Sequence, residues 1–372
     1  MSTPFLNVDL SVVRERLGEL RSALPGARVF YAVKANPAEP VVATLAAAGC
    51  GFDVASTGEL DLVLRHDADA AALCYANPVR KPADVRHAFA TGVRLFVTDS
   101  AEDLSVLAEC APGVDVLVRL AVDEVGSATP FDGKFGAAPA EAAGLLRRAT
   151  AHGLRPAGLT FHVGSQQVRP AAYAAAIGAA ARVAADAGLP DPPMLDVGGG
   201  FPVRYRDEVP PLAAFAAAIR DAVRTHFPDR PPALAVEPGR FLVAEAGVLH
   251  AQVVRVSHRH DGRRWVYLDI GRYGGLAETE GEAIGYQLAT RHDGGELAPA
   301  VLAGPSCDGD DVLYREVPLP VALAAGDEVR LLAAGAYTAS YSSVWFNGLP
   351  PLAVHCMDSS LERDRARTGV PA

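Results

Sequence analysis

Through the first two-thirds of the chain, short apolar runs alternate with longer stretches whose apolar positions recur every three to four residues. The runs fall at 29–34, 51–55, 72–76, 94–98, 115–121, 157–163, 194–197 and 233–237. Each is short and bounded by polar or turn-forming residues, which reads as a buried strand. Between them lie alanine-rich segments with helical spacing, such as 38–48, 57–66, 101–110, 139–152 and 170–187. Eight such alternations over about 210 residues predict a parallel (β/α)8 barrel of the TIM type. The competing arrangement is a doubly wound open sheet. That fold places a glycine-rich dinucleotide turn after its first strand, where this chain has Lys34-Ala35-Asn36-Pro37.

The pattern changes after about residue 240. Runs at 248–256, 265–270, 300–303 and 328–333 look like strands joined by Gly/Asp turns such as His260-Asp261-Gly262, with few helical segments between them. The expected division is a barrel over 10–240 and an antiparallel β domain over 241–372, joined by an N-terminal strand within 1–9. The charged tail, about 358–372, is expected to be loose.

Composition narrows the function classes. The net charge of −10 argues against nucleic acid or an anionic membrane as the main partner. Five cysteines, at 50, 74, 110, 307 and 356, show no metal-ligand spacing, so reduced thiols and no metal site are expected. The N-terminus lacks a basic segment followed by an apolar one, and the apolar stretch 171–189 is interrupted by Arg182 and Asp186. A cytoplasmic protein without a membrane span is the expectation.

A barrel of this kind carries its active site at the C-terminal ends of the strands. The polar residues there are Lys34, Asp53, Asn77, Arg119, His162 with Ser165, Asp196 with Gly198-Gly199-Gly200, and Glu237-Pro238-Gly239-Arg240. Any one of them also serves as a cap, a turn former or a satisfied core residue. Their gathering at one end of successive strands is what points to a site. An amine at the exit of a buried strand suits a Schiff base with a carbonyl cofactor. The triple glycine (Gly199 and Gly200 closest to the turn's end) offers backbone N–H groups to a phosphate, and Gly239 and Arg240 add a second close approach and a cation. Glu237 would keep a pyridine nitrogen protonated. Together these residues describe a pocket for pyridoxal 5′-phosphate. In the β domain, GPSCDGDD (304–311) and GAYT (335–338) form two further clusters. Cys307 is placed to protonate a carbanion, Asp308 to hold an ammonium, and Tyr337 to donate to a phosphate.

The motifs YAVKAN, FDVAS, FHVGSQ, DVGGGFP, EPGR, GPSCDGDD and GAYT occur in this order from residue 31 to 338, with FNG following at 346–348. In this the chain resembles the fold-type III pyridoxal-phosphate decarboxylases of basic amino acids. It is most similar to the short bacterial ornithine/lysine decarboxylases through YLDIGRYGGLAE (267–278) and CDGDDVLY (307–314). The resemblance implies an alanine racemase-like barrel and a head-to-tail homodimer with two shared active sites. Lys34 would carry the cofactor, Glu237 pair with its ring nitrogen and His162 stack on its face. Ser165, Gly200, Arg240 and Tyr337 would hold its phosphate. Asp53, Glu59 and Arg119 would line the pocket near Lys34. Cys307 and Asp308 would reach the partner subunit's site, and Lys134 would pair with Asp311 across the interface. The implied reaction is loss of CO2 from a substrate bound through its amine, followed by protonation of the α-carbon by Cys307.

The same resemblance places Tyr273 and Glu282 at the distal ammonium of the substrate, most simply L-ornithine or L-lysine, with putrescine or cadaverine as product. The stretch ETEGEAIGYQ (278–287) departs from the bacterial pattern at Gly281 and Gly285, and Trp345 is bulkier than expected. A modified diamino acid is therefore the first alternative. A diaminopimelate decarboxylase would carry Cys-Glu-Ser where this chain has Cys307-Asp308-Gly309. An alanine racemase would carry a tyrosine in place of Cys307. A decarboxylase-like binding protein would be expected to lose cofactor residues that are present here.

Overall fold

A computed structural model describes residues 2–131, 133–189 and 193–360, so the tail beyond 360 lies outside the described residues. The chain divides into two compact units. One comprises residues 14–202 and 209–241, and the other residues 1–13, 203–208 and 242–372.

The first unit is a closed barrel of eight strands. They are Arg28–Ala32, Gly51–Val54, Leu73–Tyr75, Leu95–Thr98, Asp115–Leu120, Arg155–Phe161, Met194–Asp196 and Ala233–Val236. Every neighbouring pair is parallel, and the eighth strand closes on the first with Ala235 opposite Arg28. The predicted barrel is the observed one. The strands are mostly apolar because the barrel buries both faces, the inner face with its own side chains and the outer one under helices, and the polar exceptions Asp53, Arg119 and Asp196 fall toward their C-terminal ends. Phe30, Cys74, Leu95, Val97, Leu117, Ala157, Met194 and Ala235 pack together as one buried cluster. The helices follow from their own signals. Ser56 caps Thr57–Arg65 by accepting the Glu59 N–H, and Ser100 caps Ala101–Cys110 by accepting that of Asp103. Proline opens Pro82–Ala90, Pro139–Ala151 and Pro170–Asp186, where its missing N–H costs nothing.

The second unit is an eight-stranded, mostly antiparallel sheet. Its main path runs Gln287–Thr290, Glu328–Leu332, Gly247–His258, Arg264–Leu268, Leu297–Ala303 and Val312–Pro320. Phe5–Asp9 pairs antiparallel with Gly247–His258 and parallel with Ala353–Met357. The segment 203–208 joins this unit through Arg206, whose N–H donates to Gly285 O and whose guanidinium stands 3.8 Å from the Tyr314 ring centre.

Candidate active site

Lys34 lies two residues beyond the end of the first barrel strand, in the turn Val33–Ala35. Its Nζ stands 3.6 Å from Asp53 Oδ2, and the lysine side chain is half exposed while the aspartate is buried. The register explains the meeting, because Ala32 pairs directly with Asp53 in the second strand. The chain has three lysines in all. Lys81 is exposed at the N-cap of Pro82–Ala90, and Lys134 is exposed against the Phe135 ring. Lys34 is the one at a barrel strand end. Beside it, Glu59 Oε2 accepts the Ala55 N–H at 2.7 Å. Burial raises the Glu59 carboxyl above its usual range. Asn77 is a loop brace, donating from Nδ2 to Ala55 O and accepting the Val79 N–H.

The floor of the barrel mouth is acidic. Asp196 is fully buried and Glu237 is half-buried with its Oε1 shut off from solvent, and desolvation pushes Glu237 well above the usual carboxylate range, with Asp196 and Asp53 adding to the shift. Asp196 is pushed up to about 6, again chiefly by burial. Its Oδ1 accepts the Gly198 N–H at 2.9 Å. Glu237 Oε1, Asp196 Oδ2 and Asp53 Oδ1 have no hydrogen-bond partner among the described residues. Arg119 faces them from the fifth strand, over the Phe131 and Phe135 rings at 5.2 and 4.8 Å. His162 is half-buried, and desolvation, then Arg119 and Lys34, push its pKa well down, so the ring is neutral. Its Nδ1 accepts the Gly164 N–H at 3.0 Å, which leaves the proton on Nε2. Phe131 meets its ring edge-on at 4.9 Å. Arg119, His162 and Glu237 line one small cavity together with Ala76, Val97 and Thr160.

The triple glycine has a packing reason as well as the one read from the sequence. A methyl group on Gly199 would lie 2.5 Å from Glu237 O, and one on Gly200 would lie 2.4 Å from Gly164 O. The turn is pressed against the ends of the sixth and eighth strands, and Glu237 N–H donates to Gly198 O. Tyr173, buried on Pro170–Asp186, braces it by donating its hydroxyl to Gly199 O at 2.7 Å. Around this turn Arg240 Nη2 donates to Ser165 Oγ at 3.0 Å, and Gln167 N–H donates to Gly200 O. Ser165, Gly200, Gly239 and Arg240 thus belong to one backbone-rich corner of the barrel unit.

In the sheet unit, Cys307 and Asp308 are exposed at the tip of the loop joining Leu297–Ala303 to Val312–Pro320. The buried Asp311 organises that loop, with Oδ1 accepting Arg272 N–H at 2.8 Å and Oδ2 accepting Ser306 N–H at 3.0 Å. Its carboxylate occupies the space that side chains at Gly271 and Gly304 would need, with approaches of 2.0 and 2.4 Å to an added methyl. That is the physical content of the glycines in DIGRYGG and GPSCDGDD. Asp311 has this local task besides the expected pairing with Lys134. Tyr273 stands near Asp308, and desolvation, then the Asp308 carboxylate, raise its phenol above the usual range. Glu282 sits at a left-handed backbone position, φ 59°, and its Oε1 accepts the Arg315 N–H at 2.8 Å. Tyr337 also has a left-handed backbone, φ 55°, and Trp345 is 60% exposed.

Sequence reasoning named Asp196 without giving it a task, and it did not find Tyr173, Phe131 or Asn347. The first has a strand-end signal. The others sit on a helix face and in loops, where a single aromatic or amide carries no pattern.

The barrel residues fit a cofactor with a protonated ring nitrogen and a phosphate. A buried carboxyl oxygen of Glu237 without a donor is stabilised by a cation placed against it, and the carboxyl pair it forms with Asp196 is costly without one. A neutral imidazole and a strand-end amine complete the set. The comparisons agree. A sequence-family model described as "Pyridoxal-dependent decarboxylase, pyridoxal binding domain" matches residues 10–244. The chain is 39% identical to the lysine/ornithine decarboxylase of Selenomonas ruminantium over 352 residues, 93% of this chain and 87% of that protein. It superimposes on a crystal structure of SrLDC in complex with PLP and cadaverine with a TM-score of 0.88 at 36% identity, covering 99% of this chain and 94% of the other. A lysine/ornithine decarboxylase from Vibrio vulnificus complexed with cadaverine gives 0.85 at 36% identity, covering 95% and 94%. From the barrel, its acidic floor and these likenesses together it follows that this chain belongs to the pyridoxal-dependent decarboxylases, carboxy-lyases that work through pyridoxal 5′-phosphate.

Proposed function

We propose that the protein decarboxylates a basic amino acid, L-ornithine or L-lysine, to the corresponding diamine and CO2. The observation that carries the reading is Lys34, 3.6 Å from Asp53, in the same strand-end cluster as Glu237. Relatives named for lysine and ornithine, some complexed with cadaverine, support the substrate class.

The cofactor, when bound, supplies an electron sink for the pair released as the α-carboxylate leaves. The chain's residues do the rest. Lys34 would hold the cofactor through its amine, and Asp53 would keep that amine oriented and receptive to a proton. Glu237 would favour a protonated ring nitrogen, and His162 would lie against the ring, with Arg119 and Asp53 bounding the mouth. Ser165, Gly199, Gly200, Gly239 and Arg240 would hold the phosphate, a role the resemblance also implies for Tyr337. Cys307 returns a proton to the α-carbon. Tyr273, Asp308 and Glu282 supply the negative and hydrogen-bonding surface that a distal ammonium needs. Cys307 and Asp308 lie in the unit that does not carry Lys34, and we assign the protein to a homodimer in which each subunit completes its partner's site.

The test is a product assay by mass spectrometry with L- and D-ornithine, L-lysine, L-arginine and meso-diaminopimelate. Putrescine or cadaverine from the L-substrates is expected. Turnover of diaminopimelate alone, or of none of the panel, would reject the substrate assignment.

A further inference from the structure

Asn347 meets Cys307 at three points. Its Oδ1 accepts the Cys307 backbone N–H at 3.2 Å and lies 3.5 Å from Sγ, while Nδ2 lies 3.3 Å from the same sulfur. The first contact fixes the backbone of the loop tip. The other two place an acceptor and a donor on the thiol itself. Asn347 has a left-handed backbone, φ 53°, which asparagine tolerates better than most residues. Its neighbour Phe346 packs on Tyr273 with ring centres 4.5 Å apart, and Tyr273 stands near Asp308. The side chains around the thiol are therefore locked to one another within the sheet unit.

An amide is suited to both protonation states of a thiol. The S–H donates to Oδ1, and a thiolate accepts from Nδ2–H. We propose that Asn347 is the positioning residue for the Cys307 proton: it aims the S–H through Oδ1 and stabilises the sulfur through Nδ2 once the proton has gone. The inference rests on the proton-donor role proposed for Cys307. In that step the S–H bond breaks and a C–H bond forms at the α-carbon, using the electron pair left by CO2. The negative charge remains on sulfur until water re-protonates it. Serving two states of one atom requires a donor and an acceptor on the same side chain, which aspartate or leucine lacks.

Asn347→Asp is the discriminating variant, because it keeps an acceptor for the Cys307 N–H and tolerates the left-handed backbone while losing the donor to Sγ. The measurement is the rate of iodoacetamide alkylation at Cys307 against pH, on the full-length protein, read by peptide mass spectrometry with Cys356 as internal reference. Alkylation of Cys307 near neutrality should slow roughly tenfold, with Cys356 unchanged. The fraction of aldehyde among the products should rise in the same variant, as carbanions are protonated in the wrong place. Asn347→Gly, which accommodates the backbone and removes the side chain, should show both effects. A Cys307 profile that superimposes on the wild type in Asn347→Asp overturns the proposal. Cys307→Ala tests the underlying role separately: if it releases only amine at the wild-type rate, Cys307 is not the donor and the inference falls with it, whatever the alkylation shows.

Discussion

Asp196 and Glu237 set the energetics of the barrel mouth. Two carboxyl groups share a buried site, and both are raised because ionising either one leaves charge without water around it. The sign of the consequence is fixed. A carboxyl whose folded pKa lies above its unfolded value binds its proton more tightly in the folded state. Its contribution to stability is present below the unfolded pKa and is lost as pH rises through the folded one. For Asp196 the window runs from the ordinary aspartate value of 3.8 to about 6. Asp196→Asn keeps the oxygen that accepts the Gly198 N–H and removes the titration. Thermal unfolding of cofactor-depleted protein between pH 4 and 7 should show the variant gaining on the wild type as pH rises, by about 2–5 °C. Parallel curves for the two proteins would mean that Asp196 does not titrate in this range. Cofactor binding should narrow the difference, since a ring cation beside Glu237 favours the ionised carboxyl.

Elements carry these residues to one place. Parallel register sets Asp53 beside the end of the first strand and Asp196 beside Thr160 and Ala235. The glycine turn after the seventh strand is as much a spacer as a cradle. Gly199→Ala would drive a methyl into the Glu237 carbonyl, 2.5 Å away, and the strand end must move to admit it. Overpacking of this kind costs on the order of 1–3 kcal/mol. The expected outcome is a lower unfolding temperature together with weakened binding of pyridoxal phosphate. A variant with wild-type stability and affinity would show that the turn has room to spare. The barrel strands were legible in the sequence because each carries a short apolar run bounded by polar or turn-forming residues. Other elements were not. Val312–Pro320 carries the exposed Arg315 and Glu316 and two prolines, and the short pair Ser127–Thr129 with Ser165–Gln167 has hydroxyl and amide side chains. Such strands exist through pairing with neighbours, which no local pattern records.

At the scale of the whole molecule, the residues proposed for the reaction divide between the two units. The barrel unit holds Lys34, Asp53, His162, Glu237 and Arg240, and the sheet unit holds Tyr273, Cys307, Asp308 and Asn347. The barrel group was readable from position alone, since polar residues at successive strand ends have one common destination. The sheet group was readable only through motif resemblance. The packing of Asp311 against Gly271 and Gly304 that shapes its loop joins segments more than thirty residues apart. Among the described residues no helix is long and apolar enough to cross a membrane.

Lys34 is assigned as the residue that carries the cofactor, and with three lysines in the chain the attachment point can be read directly. Borohydride reduction of the purified protein with pyridoxal 5′-phosphate bound, followed by digestion and peptide mass spectrometry, locates the covalent attachment. One reduced phosphopyridoxyl group is expected, on the peptide containing Lys34, with loss of both the label and the visible absorbance band in Lys34→Ala. A label on Lys81 or Lys134, or an unchanged spectrum in Lys34→Ala, would contradict the assignment.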